Sequence, residues 1–228
     1  MTGIPPEAAQ AMAIVRELIG ESAIGIYLFG SAVVGGSREH SDVDVLVAVN
    51  RSVDFEKRQA LIARLLKTSG AIGNPHSIRP LELTVIRIQD VVPWRFPPRA
   101  ELVYGEWLRG TFESRAVPEP VHDPDLAIVL KKVIDNSLTL WGEAAVDVFD
   151  PIPMEDILRA IRESLPTLLE GIDGDERNTV LTLARMWLTA ATGISRPRTS
   201  RPSGRLVNYP RSRLRCSTKQ GCGSRGRN

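Results

Sequence analysis

Residues 28–46 read LFGSAVVGGSREHSDVDVL, and the fold turns on them. Gly30-Ser31 ends an apolar run over 24–29, and Asp42 and Asp44 open a second apolar run that continues to residue 49. Side chains alternate along a strand, so Asp42 and Asp44 share a face. Two carboxylates side by side repel each other unless a cation lies between them. Oxygen ligands of this kind suit Mg²⁺, which takes one or two carboxylates plus substrate phosphates. Glycine lets the backbone approach a phosphate, with N–H groups and the Ser31 hydroxyl as donors. A lone Asp-x-Asp is common at strand ends. The joint order of strand, Gly-Ser, polar link and Asp-x-Asp strand is more specific, and it describes a nucleotide-phosphate and metal site.

Outward from this stretch, Met12, Val15, Leu18 and Ile19 predict a helix over 7–20, introduced by Pro5 and Pro6. Asp54 is placed to cap a helix over 55–69, with Leu61, Ile62, Leu65 and Leu66 as its stripe. LELTVIRI at 81–88 reads as a strand with Glu82 and Thr84 on one face. Beside the Asp-x-Asp strand, Glu82 becomes a third carboxylate, either a metal ligand or a base toward an attacking hydroxyl. Residues 89–122 are rich in proline and aromatics, including Trp94 and Trp107, and predict loops and short helix. Three helical patterns follow, over 123–141, 154–170 and 175–192. In the last, Val180, Leu183, Ala184 and Trp187 form the apolar stripe. The expected division is 1–118, an α+β unit, then 119–193, an α-helical unit, then a tail over 194–228.

Composition narrows the class. The 228 residues are 43% hydrophobic and 25% charged, as in ordinary globular proteins. No apolar run is long enough to span a membrane, and the N-terminus has no signal pattern. Both cysteines, Cys216 and Cys222, lie in the tail, which fits a reducing cytoplasm. Residues 195–228 hold nine arginines and one lysine but no acid, leaving 19 basic against 27 acidic residues in the body, a net of −8. An acidic body argues against a nucleic-acid groove and favours a cationic ligand. The tail, poor in apolar residues, is expected to be disordered.

GSAVVGGSREHSDVDVLV, LELTV, PWRFPPRAELVYGEWLR, DLAIVL and GDERNTVLTLARMWLTAATG together resemble the bacterial aminoglycoside adenylyltransferases that modify streptomycin and spectinomycin, members of the polymerase β-like nucleotidyltransferase superfamily. The resemblance implies an N-terminal nucleotidyltransferase domain with a small mixed sheet and helices, and a C-terminal helical bundle. It implies transfer of AMP from ATP, with Mg²⁺, to the 3″-hydroxyl of streptomycin and the 9-hydroxyl of spectinomycin, which confers resistance. It assigns Ser31 and Ser41, with Gly30, to the triphosphate and Asp42 and Asp44 to the metal. Glu82 becomes the catalytic base, and Asp125 and Arg185 reach the nucleotide. Trp107 and Asp175 contact streptomycin, with Asp173 beside them in the acidic lining. Retention of both Trp107 and Asp175 implies acceptance of both drugs. The protein is expected to act as a monomer.

Past residue 193 the family continues with helix, whereas this chain turns basic and low in complexity. The expectation is a frameshift-derived tail and a shortened bundle, with apolar faces exposed on the first and last of its helices. Two alternatives stay open: a nucleotidyltransferase acting on RNA or a partner protein, and an inactive truncated homologue. An RNA-binding protein working through its Arg-rich tail is a third.

Overall fold

A computed structural model describes residues 3–34, 41–71, 78–173 and 176–192. Asp175, the 35–40 part of the polar link and the tail over 194–228 lie outside the described residues. Helix α1 (Pro6–Ile19) leads into β1 (Ala23–Phe29), and the short α2 (Ser31–Val34) follows Gly30. Then come β2 (Val43–Val49), α3 (Phe55–Thr68) and β3 (Leu81–Arg87). The Asp54 carboxylate caps α3 by accepting from the Lys57 backbone N–H at 2.8 Å, a contact worth ~1 kcal/mol. Next are β4 (Arg99–Ala100), β5 (Leu102–Tyr104), α4 (Arg109–Glu113) and β6 (Val121–His122). The chain closes with α5 (Asp125–Asp135), β7 (Leu138–Gly142), α6 (Ala145–Val148), α7 (Met154–Glu170) and α8 (Glu176–Thr192).

Five strands form one mixed sheet in the order β5-β3-β2-β1-β7. Only β2 and β3 run parallel, joined by the α3 crossover; β1 is antiparallel to both its neighbours, and β5 is antiparallel to β3. Strand β2 is central, so both its faces are covered. Val43, Val45, Val47 and Val49 pack with Leu83, Val85, Ile14, Val15, Leu61 and Leu65 beneath α1 and α3. Leu46 and Ala48 pack on the opposite face with Tyr27, Phe29 and Ile86, against Leu126, Leu130 and Val133 of α5. Ala127 and Ile128 of α5 meet Ile157 and Ile161 of α7 and Met186 of α8 in a third cluster. Helix α5 therefore joins the sheet to the last two helices. No helix among the described residues is long and apolar enough to cross a membrane.

Two sequence expectations change here. The helix expected over 123–141 ends at Asp135, and residues 138–142 instead form an edge strand on β1. Asn136 and Ser137 break the helical period, and Leu-Thr-Leu-Trp then alternates with period two. The apolar stripe of the last helix is divided: Leu183 packs against the third cluster, and the rest of the stripe is exposed, as expected of a shortened bundle. Val180 and Trp187 are 58% and 72% exposed, while Thr179, Thr182 and Met186 make the buried side of α8. On α5 the apolar residues Leu126, Leu130 and Val133 are covered by the sheet, so exposure of that helix's apolar face is not found.

Candidate active site

The strand register builds the site. Asp44 lies beside Glu82 in the parallel β2–β3 pair and opposite Phe29 in the antiparallel β1–β2 pair. Residues paired across strands point to the same side, so Asp44 and Glu82 share the sheet face that α5 covers. Asp42 is buried just before β2, two residues from Asp44. The three carboxyls converge: Asp44 and Glu82 are register partners, and the Asp42 and Asp44 carboxyls each lie close enough to shift the titration of Glu82. The arrangement that would have removed this chemistry, with Glu82 on the opposite face, is not what the chain adopts.

Charge is concentrated here. Desolvation pushes the Asp44 carboxyl up to about 6, against the pull of Lys132 and of its hydrogen bond with Glu82. Glu82 is driven well above the usual carboxylate range, first by desolvation and then by the charges of Asp44 and Asp42; Lys132 opposes the shift. Glu82 is thus the member that keeps a proton when three carboxyls have only one another. Asp125, at the start of α5, is pushed up to about 7 by desolvation and by the charge of Asp123, against a hydrogen bond from Ser164 of α7 and the pull of Lys132. Buried carboxylates elsewhere have their own arginines: Glu7 with Arg79 at 3.0 Å, Glu106 with Arg109 at 2.6 Å, and Glu101 with Arg99 at 3.6 Å. Those pairs fix the fold, whereas the cluster on β2 and β3 sets acid against acid.

Gly30 keeps the space over Asp44 open. Its φ is +74°, and a Cβ there would stand 2.1 Å from Asp44 Oδ2. Gly30→Ala should therefore lose about 1–2 kcal/mol from the left-handed backbone alone. It should also push Asp44 aside. The expected outcome, read by thermal unfolding and by AMP transfer, is a lower Tm together with a large loss of activity.

Elevated carboxyl pKa values set the sign of a pH effect. An acid whose folded pKa lies above its unfolded value binds protons more tightly in the fold. Its contribution to stability is intact below the unfolded pKa and is lost as pH rises toward the folded one. For Asp125 that window runs from about 4 to about 7. Asp125→Asn keeps the acceptor for Ser164 but removes the charge. Without ligands it should melt close to the wild type at pH 4 and several degrees above it at pH 8.

The remaining expected site residues divide. Ser41 is buried immediately before Asp42, and Ser31 is the first residue of α2 directly after Gly30, so both adjoin the acidic cluster. Arg185 is half-buried on α8, next to Met186 in the core shared with α7. Trp107 is half-buried between β5 and α4, on the β5 edge of the sheet, with its ring over Gly105. Asp173 is exposed in the turn after α7. Lys132 and Ser164 were not anticipated. Lys132 stands seven residues after Asp125, two helical turns along the same face, and that spacing was the available signal. Ser164 carried no sequence signal.

A Gly-Ser turn, a parallel strand pair carrying three converging acids, and helices on both faces define a nucleotidyltransferase domain. In agreement, residues 14–92 match the family described as polymerase beta, nucleotidyltransferase, and residues 147–200 match the aminoglycoside adenylyltransferase C-terminal domain. The chain belongs to the aminoglycoside adenylyltransferase family, and it is an enzyme of the nucleotidyltransferase class. It is 55% identical over 190 residues to a spectinomycin 9-adenylyltransferase of Staphylococcus aureus, a match spanning 83% of this chain and 73% of the relative. It is 38% identical over 197 residues to an aminoglycoside (3″) (9) adenylyltransferase of Klebsiella pneumoniae, spanning 86% and 75%. The fold matches the crystal structure of spectinomycin adenyltransferase AAD(9) from Enterococcus faecialis, solved with ATP and spectinomycin. The TM-score there is 0.81 at 34% identity, covering 84% of this chain and 77% of the other.

Proposed function

We propose that the chain transfers AMP from ATP to the 9-hydroxyl of spectinomycin and the 3″-hydroxyl of streptomycin. The observation that carries this reading is the convergence of Glu82 with both Asp42 and Asp44 on the sheet face beneath α5. In the reaction, Glu82, ionised once a cation offsets the charges of Asp42 and Asp44 that otherwise hold its proton, takes the proton of the drug hydroxyl, and the freed oxygen attacks the α-phosphorus. The bond from that phosphorus to the bridging oxygen breaks, and pyrophosphate leaves with the electron pair.

Asp42 and Asp44 would hold Mg²⁺. The fit rests on two acids on one face, beside the opening that Gly30 preserves. Among the described residues no group of three or more acids, histidines or cysteines is placed to hold a metal by itself; an ion on Asp42 and Asp44 would draw its further ligands from substrate phosphates and water. When bound, the ion neutralises phosphate charge. Gly30, Ser31 and Ser41 position the triphosphate, and Asp125 and Arg185 the nucleoside side. Trp107, Asp173 and Asp175 receive the drug, a cation suited to an acidic surface.

The proposed organisation keeps 1–118 as the nucleotidyltransferase part and 119–193 as the helical part, with β7 of the latter built into the sheet of the former. A monomer in the cytoplasm, where ATP is supplied, completes the proposal. Relatives named for spectinomycin alone and for both hydroxyls are each represented among the matches. Spectinomycin is therefore the firmer substrate, and streptomycin rests on Trp107 and Asp175. Expression of the full chain in a sensitive host should confer resistance to both drugs. Resistance to spectinomycin alone would remove the streptomycin part, and resistance to neither would overturn the reading.

A further inference from the structure

Lys132 is the cation that the family resemblance did not supply. Asp125 and Lys132 lie seven residues apart on α5, about 20° from alignment around the helix and ~10 Å apart along it. Their stripe runs between the side of α5 that packs on the sheet, with Leu126, Leu130 and Val133, and the side that meets α7, with Ile128. At that seam Asp125 accepts a hydrogen bond from Ser164 of α7. Lys132 is half-buried there, and its charge acts on Asp44 of β2, on Glu82 of β3 and on Asp125 of its own helix. Lys132 thus lies on the helix that covers the sheet face of Asp44 and Glu82, within electrostatic reach of carboxyls from three elements, while Arg79, Arg99 and Arg109 are engaged with other acids.

A polyphosphate entering a cluster of acids meets repulsion unless fixed cations line its path. Lysine suits this task as a compact charge on a flexible stem, able to turn from carboxylate to phosphate. We propose that Lys132 is a further phosphate-binding residue of this site, pairing with the carboxylates when no nucleotide is present and with the pyrophosphate portion of ATP, then with the pyrophosphate leaving group, when one is. This rests on the adenylyl-transfer reading above. The step stays balanced, since Lys132 keeps its protons throughout and only accompanies the charge that moves onto the departing oxygen.

The test is calorimetric binding of inorganic pyrophosphate, in excess Mg²⁺ and without drug, to the full chain and to its Lys132→Met and Lys132→Arg variants. Loss of a charged contact predicts at least ~10-fold weaker binding by Lys132→Met. The KM for ATP should rise in step, and Lys132→Arg should keep most of the affinity. Should the methionine variant fail to fold, Lys132→Gln serves in its place. Wild-type-like binding by either neutral variant would overturn the proposal, as would no pyrophosphate binding by the wild type. A wild type that binds pyrophosphate but modifies neither drug would instead count against the adenylyl-transfer reading.

Discussion

Glu82→Gln should slow AMP transfer by orders of magnitude while leaving the protein at least as stable. General-base catalysis is worth about 10²–10⁴-fold, so kcat should fall within that range with little change in the KM for ATP. Glutamine has the size of glutamate and can still hydrogen-bond Asp42 and Asp44. It removes one of the charges that the site must otherwise hold apart. The sign follows from the position of the carboxyl. Folding raises its pKa well above the ordinary value, so ionised Glu82 opposes folding increasingly as pH rises above about 4.5. In the absence of metal and nucleotide, Glu82→Gln should therefore melt at or above the wild-type temperature at pH 7 and match it near pH 4. A lower Tm at pH 7 would mean that the glutamate supports the fold rather than the reaction. Full activity would remove it from the base role.

Asp44→Asn should be comparably damaging for a different reason. Asp44 stands between Phe29 and Glu82 in the strand register and directly under Gly30. Burial pushes its carboxyl up to about 6, and in the proposed reaction a cation would hold it in the ionised form. Asparagine fits the space but cannot neutralise the ion. Loss of charge stabilisation worth several kcal/mol corresponds to a decrease on the order of 10³-fold. A second readout is independent of turnover. Ligands that bind only the folded state raise its Tm, so Mg²⁺ with a non-hydrolysable ATP analogue should stabilise the wild type. The same addition should shift Asp44→Asn little. Equal shifts in the two proteins would place the metal elsewhere.

Much of this site was legible in the sequence because it depends on local periodicity. The two-residue spacing of Asp42 and Asp44 fixes their common face without tertiary information. That Glu82 joins them depends on the register between β2 and β3, which no local pattern specifies; the shared apolar faces of the two strands only made it reasonable. The edge strands were harder to read. β5 has three residues, and β7 has its alternation hidden behind a helix whose apolar stripe runs nearly into it. On α8, Val180, Leu183, Ala184 and Trp187 have the right spacing for a core face, yet of these Leu183 joins the core beside Met186, while Val180 and Trp187 stay exposed and Thr179 and Thr182 are buried. Periodicity shows that a helix has an apolar side; it does not show which side finds a partner. Lys132 was overlooked because a lysine in an amphipathic helix is ordinarily solvated, and only the fold brings acids from two strands to it.

The most direct test of the account is incubation of the purified full chain with Mg²⁺, ATP labelled at the α-phosphate, and spectinomycin or streptomycin. The wild type should place labelled AMP on spectinomycin, and on streptomycin where the Trp107 and Asp175 reading holds, with one pyrophosphate released per AMP transferred, and Glu82→Gln should do so at least about 100-fold more slowly. Label on neither drug, or equal labelling by wild type and Glu82→Gln, would contradict the claim that three acids on β2 and β3 carry adenylyl transfer.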